Sequence, residues 1–125
     1  MNLELRPTLE NMAISVLEQQ RVSGVLDMYC VKKWPPQFKD QVELQYRFDA
    51  TSVILFEKRP AWDNPKESVE LLVAKFRYFA GRGEWELYWR DRNSDWHQYD
   101  LLKPNKRFEV LLSEVDKDPT CIFWG

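Results

Sequence analysis

The chain has 125 residues, a length that suits one hydrophobic core rather than two ordinary domains. Its 18 basic and 20 acidic residues give a net charge of −2, so no overall positive field draws it to nucleic acid or to an anionic membrane. No apolar run approaches the roughly 18 residues that a membrane span requires, and we expect one cytoplasmic domain over residues 1–125 with no membrane segment.

The first predicted element is helical and spans residues 8–33. Apolar residues recur at helical spacing between positions 9 and 17, after the capping residue Thr8. A second apolar set, between positions 22 and 29, lies on a different side of the helix, and the phase changes at Ser23–Gly24. We therefore expect a kink there, and the pattern leaves open whether this segment is one bent helix or two.

A sheet is predicted over residues 42–99. Its first strand alternates apolar and polar side chains up to Phe48, and a turn leads to a second strand that begins at Val53. If Phe48 faces Val53, Leu44 faces Glu57, and both Glu57 and Arg59 point to the same side as core residues. A carboxylate in that position requires a partner or a place at the rim of the sheet.

The densest aromatic stretch forms a hairpin around the turn Gly81–Gly83, because aromatic and β-branched residues favour strands. One register puts Tyr78 opposite Trp85 on an apolar face. The same register puts Arg77 opposite Glu86 on a face of mixed charge, whereas a shift by one residue would place Trp85 across from charge.

The chain closes with a second helix and an apolar tail. Asn105 is the predicted cap of a helix over residues 105–116, and the tail 121–125 is expected to dock on the sheet or pair at its edge. The order of elements predicts an α+β fold, with an antiparallel five-stranded sheet and an N-terminal helix (or two) and one C-terminal helix packed on one face.

Several short motifs identify a resemblance: Arg59-Pro60-x-Trp62-Asp63-Asn64-Pro65, Tyr88-Trp89, Trp96-His97-x-Tyr99 and the ending Phe123-Trp124-Gly125. With them the chain resembles a small bacterial family catalogued only as a domain of unknown function, number three thousand and twenty-four. The resemblance runs from about Cys30 to the C-terminus. It implies a bacterial, cytoplasmic, single-domain protein of unknown function, and it assigns no catalytic or binding residue.

The candidate binding site is the corner where the second strand meets the next loop. It comprises Glu57, Arg59, Trp62 and Asp63, which bring two carboxylates, a cation and an aromatic ring together within a few residues. Trp62 either staples the loop to the core, which we favour, or presents a contact surface. Glu57 and Arg59, with Asp49, also resemble the layout of a metal-dependent nuclease or phosphoesterase-like enzyme, although Asp49 fits a turn more simply.

A second candidate surface comprises Lys75, Arg77, Tyr88 and Arg90, which interleave cations with a ring on one strand face. Such a face suits single-stranded nucleic acid. Neighbouring acidic residues favour a solvated or protein-facing surface instead, and nucleic acid is not the partner we expect.

Catalytic and metal-binding groups are scarce. His97 is the sole histidine, and Cys30 and Cys121 lack metal-ligand spacing, so we predict no catalytic residue, metal or cofactor and expect two free thiols. The sequence favours a non-catalytic binding or assembly module whose partner is unknown; the two candidates are another protein and a second copy of the chain.

Overall fold

Residues 12–124 are described by the computed structural model, and within them two α-helices accompany a sheet of five strands. No helix in this part of the chain is long and apolar enough to cross a membrane. The elements in chain order are α1 (Val16–Lys33), a 3-10 turn (Pro36–Phe38), β1 (Glu43–Phe48), β2 (Ser52–Pro60), β3 (Ser68–Phe79), β4 (Glu84–Arg90), β5 (Trp96–Gln98) and α2 (Phe108–Lys117).

Helix α1 begins later than the apolar pattern predicts. Ser15 is its N-cap, and the Ser15 hydroxyl accepts a hydrogen bond from the backbone N–H of Glu18 at 3.2 Å. Residues 12–15 are therefore not helical, and residues 8–11 of the predicted helix lie outside the described chain. The helix ends at Lys33, before Trp34–Pro35, as the proline predicts.

The predicted second helix after Ser23–Gly24 is wrong, because α1 is one continuous helix across these residues. Its buried residues are Val22, Leu26 and Cys30, which follow one another at intervals of four and so form one face. Val16 and Leu17, which belong to the first apolar set, are largely exposed, so this set does not form a second buried face.

The five strands form an antiparallel meander in the order β1-β2-β3-β4-β5, which confirms the predicted sheet. In the first hairpin Leu44 faces Glu57, as predicted. In the aromatic hairpin Tyr78 faces Trp85 and Arg77 faces Glu86, which is also the predicted register. The alternation of apolar and polar residues determines this pairing because a slip of one residue would bring charges into the core.

Both helices cover the same face of the sheet, here called the inner face. The core comprises α1 residues Val22 and Leu26, α2 residues Phe108, Leu111 and Val115, and inner-face residues Leu44, Val53, Leu55, Ala74, Phe76, Trp85 and Leu87. The opposite face, called the outer face, has no helix over it within residues 12–124. The fold is α+β.

Helix α2 begins three residues after the predicted cap. The backbone of Asn105 forms a bridge with Trp85, which extends the chain there and moves the start of the helix to Phe108. The tail docks as predicted: the Asp118 carboxylate accepts hydrogen bonds from the backbone N–H groups of Ile122, Phe123 and Trp124. Phe123 is buried in the core.

Candidate functional site

Glu57 and Arg59 are each other's partners at the end of β2. The Glu57 side chain is buried, with 8% of the residue exposed, and its Oε1 accepts from Arg59 Nη2 at 3.2 Å and from Arg59 Nε at 3.3 Å. Its Oε2 accepts from the indole Nε1 of Trp34 at 2.9 Å. The carboxylate thus has partners on both oxygens, which offsets the cost of burying it.

Trp34 is the residue of this corner that the sequence interpretation missed. It follows α1 directly, and it reaches Glu57 because the 3-10 turn after it folds the chain back toward β1. A signal was available, since the ring of a tryptophan that is partly buried requires an acceptor for its N–H, and Glu57 was the carboxylate in need of a donor.

Trp62 does not staple its loop, and the stapling expectation is wrong. The residue is 96% exposed. The loop that carries it is nevertheless ordered by its own hydrogen bonds: the N–H of Ala61 donates to the carbonyl of Glu67 at 2.9 Å, and the N–H of Glu67 donates to the carbonyl of Asn64 at 3.0 Å. The indole therefore projects into solvent from a defined hairpin end.

A cleft of about 310 Å³ lies beside this loop and is here called the hairpin-end cleft. Its charged lining residues are Lys39, Lys58, Arg59 and Lys66, with Asp40, Glu43 and Glu67. Of the four predicted site residues, Arg59 lines the cleft, Glu57 is held behind it, and Trp62 and Asp63 lie on the exposed loop. The cleft is polar and of mixed charge, with four cations against three carboxylates.

The nuclease or phosphoesterase layout does not assemble on this hairpin. Asp49 lies in the β1–β2 turn, where its Oδ1 accepts from the backbone N–H groups of Thr51 and Ser52. Glu57 faces Leu44, about five residues from the turn, so the two carboxylates are roughly 15 Å apart along the strand. They cannot share one cation, and residues 12–124 contain no group of three His, Cys, Asp or Glu side chains placed to hold a metal.

The predicted nucleic-acid residues do share the outer face. Lys75 lies opposite Tyr88, Arg77 lies two residues further along β3, and Arg90 lies two residues after Tyr88 on β4. The structure therefore brings Lys75, Arg77, Tyr88 and Arg90 to one surface.

Cations of the protein itself already cover the aromatic rings on this face. The guanidinium of Arg77 lies 4.6 Å from the ring centroid of Phe79, that of Arg82 lies 4.3 Å from the same ring, and Lys75 Nζ lies 5.9 Å from the Tyr88 ring. The Tyr88 hydroxyl also donates a hydrogen bond to Glu86 at 2.8 Å. The pKa of the phenol is raised, mainly by burial and to a smaller extent by this hydrogen bond. A nucleobase would have to displace these contacts before it could stack.

The single histidine and the two cysteines were the remaining candidates for chemistry, and each has a defined environment. His97 Nε2 lies 2.6 Å from Asp91 Oδ2, and this hydrogen bond is the main cause that lowers the pKa of the half-buried Asp91 carboxyl. The His97 ring stacks on Trp89 at a centroid distance of 4.8 Å. Cys30 is buried, which raises its pKa to about 12, and Cys121 is exposed; both are free.

A family model described as "Domain of unknown function (DUF3024)" matches residues 14–125. The chain therefore belongs to the DUF3024 family, as its motifs predicted. No curated protein and no solved structure matched the chain.

Proposed function

We propose that this DUF3024 protein is a non-catalytic binding module, and that the β2–β3 hairpin end is its contact surface for a partner protein. The observation that carries the proposal is the exposure of Trp62, of which 96% is open to solvent on an ordered loop. Large aromatic side chains bury 150–250 Å² each, and tryptophan is among the residues most enriched at the energetic centres of protein interfaces.

The loop presents the indole from a firm support. β2 and β3 are the two longest strands, and they pair from Ser52 with Arg77 to Pro60 with Ser68, at the base of the loop. A side chain held on such a hairpin loses little backbone entropy when it binds, because the loop is already ordered.

The hairpin-end cleft supplies polar contacts around this anchor. Arg59 uses one edge of its guanidinium on Glu57, and its side chain is still 42% exposed toward the cleft. A partner that fits would carry an apolar pocket for the indole and would meet the cleft with carboxylates and hydrogen-bonding groups. The function that these groups support is recognition of a partner surface.

Trp62→Ala tests the proposal, with Leu101→Ala as the matched control, because Leu101 is another exposed apolar residue, in the loop before α2. The unmodified protein and the two variants would be used as affinity baits in an extract of the source organism. Each protein identified would then be purified and titrated against them by calorimetry. We expect Trp62→Ala to weaken binding by about 2 kcal/mol or more and Leu101→Ala to leave it unchanged. Equal affinities for all three forms would contradict the proposal.

We also propose that the protein is cytoplasmic and that residues 1–125 form a single domain. Two free cysteines, one of them exposed, support a reducing compartment. Fractionation of the source cells would test the location.

A further inference from the structure

β1 is an open edge of the sheet within residues 12–124, where it pairs with β2 alone. The N–H of Asp49 donates to the carbonyl of Ser52, so by alternation the odd-numbered residues of β1 direct their backbone groups toward β2. The N–H and C=O groups of Leu44, Tyr46 and Phe48 therefore point away from the sheet.

The two edges of the sheet differ. β5 has three residues, and a short edge strand is one of the devices by which proteins prevent edge pairing. β1 has six residues and contains no proline or bulge in its register with β2. The β1 edge is therefore the one able to accept another strand.

We propose that β1 pairs antiparallel with β1 of a second copy of this chain, so that the two sheets become continuous across a twofold axis at Gln45. In this register each Leu44 faces the other copy's Tyr46, and these are the residues whose backbone groups point outward. The same register places Glu43 of each copy opposite Arg47 of the other on the outer face.

Charge complementarity makes a second copy the favoured occupant. Glu43 and Arg47 flank Gln45 at equal distances with opposite signs, so symmetry produces two cross-strand ion pairs from one sequence. Arg47 already contacts Glu70 through Nη1 at 2.8 Å, and its side chain is 48% exposed, which leaves its remaining donors available. Glu43 Oε1 accepts from Gln45 Nε2 at 2.7 Å, and the Arg47 guanidinium lies 4.7 Å from the Phe56 ring centroid, so the pairing leaves the β1 backbone unchanged but requires these side chains to rearrange.

Helix α1 flanks this edge and leaves apolar surface beside it. Two openings of about 250 and 420 Å³ lie between α1 and β1, and both are lined by Cys30, Val31 and Leu44. Val31 is 55% exposed at this position. Strand pairing across the edge would bring the partner's α1 and β1 against this surface and remove part of it from water.

Reciprocal charge exchange tests the register. Glu43→Arg alone and Arg47→Glu alone each place like charges opposite one another in a homodimer, whereas a mixture of the two variants restores both ion pairs as a heterodimer. The monomer mass is 15.1 kDa, and sedimentation equilibrium of the full chain should give twice that mass with a concentration-dependent Kd. We expect each variant alone to weaken the dimer at least about tenfold and the mixture to recover the affinity of the unmodified protein.

Arg92→Glu is the matched control for Arg47→Glu, because it makes the same charge change in the β4–β5 turn, away from β1. A protein that stays monomeric at its solubility limit would overturn the proposal, as would a dimer that neither β1 variant weakens or that the mixture does not restore.

Amide hydrogen exchange gives a second measurement on the unmodified protein, in case a variant fails to fold. The N–H groups of Tyr46 and Phe48, which are half-buried, should exchange more slowly as protein concentration rises, whereas that of Leu44 is already shielded because the residue is 4% exposed. Protection that does not depend on concentration would show that another part of the chain occupies the edge, and no protection at any concentration would show that β1 stays open. Slowing only when an extended peptide is added would assign the edge to a different partner, so each of these outcomes contradicts self-pairing.

Discussion

Glu57 is a buried carboxylate that depends on two hydrogen-bond donors, one close to it in the sequence and one distant. Trp34 approaches it from the segment after α1, and Arg59 approaches it from two residues along β2. Replacing one donor leaves the carboxylate buried with incomplete hydrogen bonding, and this cost exceeds what the pair itself contributes. Asp63, in the adjoining loop, is exposed, so its carboxylate has no such desolvation cost to offset.

Arg59→Ala should therefore lower the free energy of unfolding by about 1–3 kcal/mol, whereas Asp63→Ala should change it by less than about 0.5 kcal/mol. Urea denaturation followed by circular dichroism measures both. If Arg59→Ala leaves stability unchanged, the Glu57–Arg59 pair is not a structural element, and its residues become available for binding a ligand.

Glu18 has a comparable role at the start of α1. Its carboxylate accepts hydrogen bonds from Arg21 at 2.8 Å and from the indole of the buried Trp85 at 3.2 Å, and the Arg21 bond is the main cause that lowers its pKa below 4.5. A carboxyl whose pKa is lower in the folded than in the unfolded state stabilises the fold above its unfolded pKa. That contribution is lost as pH falls through the folded pKa.

Glu18→Gln should lower stability by about 1 kcal/mol at pH 7, because the group is partly exposed and its ion pair is screened. The difference from the unmodified protein should begin to shrink as the pH falls below 4.5, the ordinary pKa of the group, and should disappear below the lower pKa of the folded state, where Glu18 is protonated. Thermal unfolding across a pH series measures the difference, and a deficit of constant size at every pH would contradict a role for the charge.

At the scale of elements, Gly24 lies in the interior of the continuous helix α1. A Cβ built at Gly24 would meet nothing within 4 Å, and the residue does not have a positive φ. Glycine in a helix interior costs roughly 0.5–1 kcal/mol relative to alanine because of its greater freedom in the unfolded chain.

Gly24→Ala should consequently raise the free energy of unfolding by about 0.5–1 kcal/mol and raise the Tm. Differential scanning calorimetry gives both quantities. Ser113→Ala, on the exposed side of α2, is a control for a helix substitution that does not involve glycine. A destabilised Gly24→Ala protein would indicate that α1 bends there in solution.

The registers of the first hairpin and of the aromatic hairpin were predictable from sequence, whereas the starting residues of the two helices were not. The β1–β2 hairpin has one acceptable register because of the apolar alternation over Leu44, Tyr46 and Phe48. The β3–β4 hairpin has one because of the Arg77–Glu86 pair, and in both hairpins a slip of one residue would bury charge. For α1, the spacing of exposed Val16 and Leu17 imitated a buried stripe, and the half of a capping box formed by Ser15 and Glu18 was the more reliable signal.

In the candidate site, too, one feature was predictable from the sequence and others were not. The position of Glu57 on the inner face followed from strand alternation, so its need for a partner was predictable. Its contact with Trp34 joins residues 23 positions apart, and it depends on how the chain turns after α1. The exposure of Trp62 depends on whether the rest of the fold offers a pocket beside the loop, and no local pattern records that.

At the scale of the whole molecule, Trp85 joins the parts that the individual elements cannot hold together. Its ring lies 4.8 Å from Tyr78 on β3 and 5.1 Å from Phe108 on α2, measured between centroids, and its indole N–H donates to Glu18 on α1. Its backbone also forms the bridge with Asn105 that precedes α2. One side chain of 0% exposure therefore contacts the sheet and both helices.

Trp85→Ala should cost about 3–5 kcal/mol, because it leaves a cavity where sheet and helices meet and removes a donor from Glu18. A domain of this size has only about 5–15 kcal/mol of stability in total, so the variant would lose a large part of it. Trp62→Ala is the matched control, since the same substitution at a residue 96% exposed should leave the unfolding midpoint in urea unchanged. If Trp85→Ala does not fold, Trp85→Phe retains most of the ring volume and should show a smaller loss. Equal urea midpoints for the Trp85 and Trp62 variants would mean that the core is not organised around Trp85.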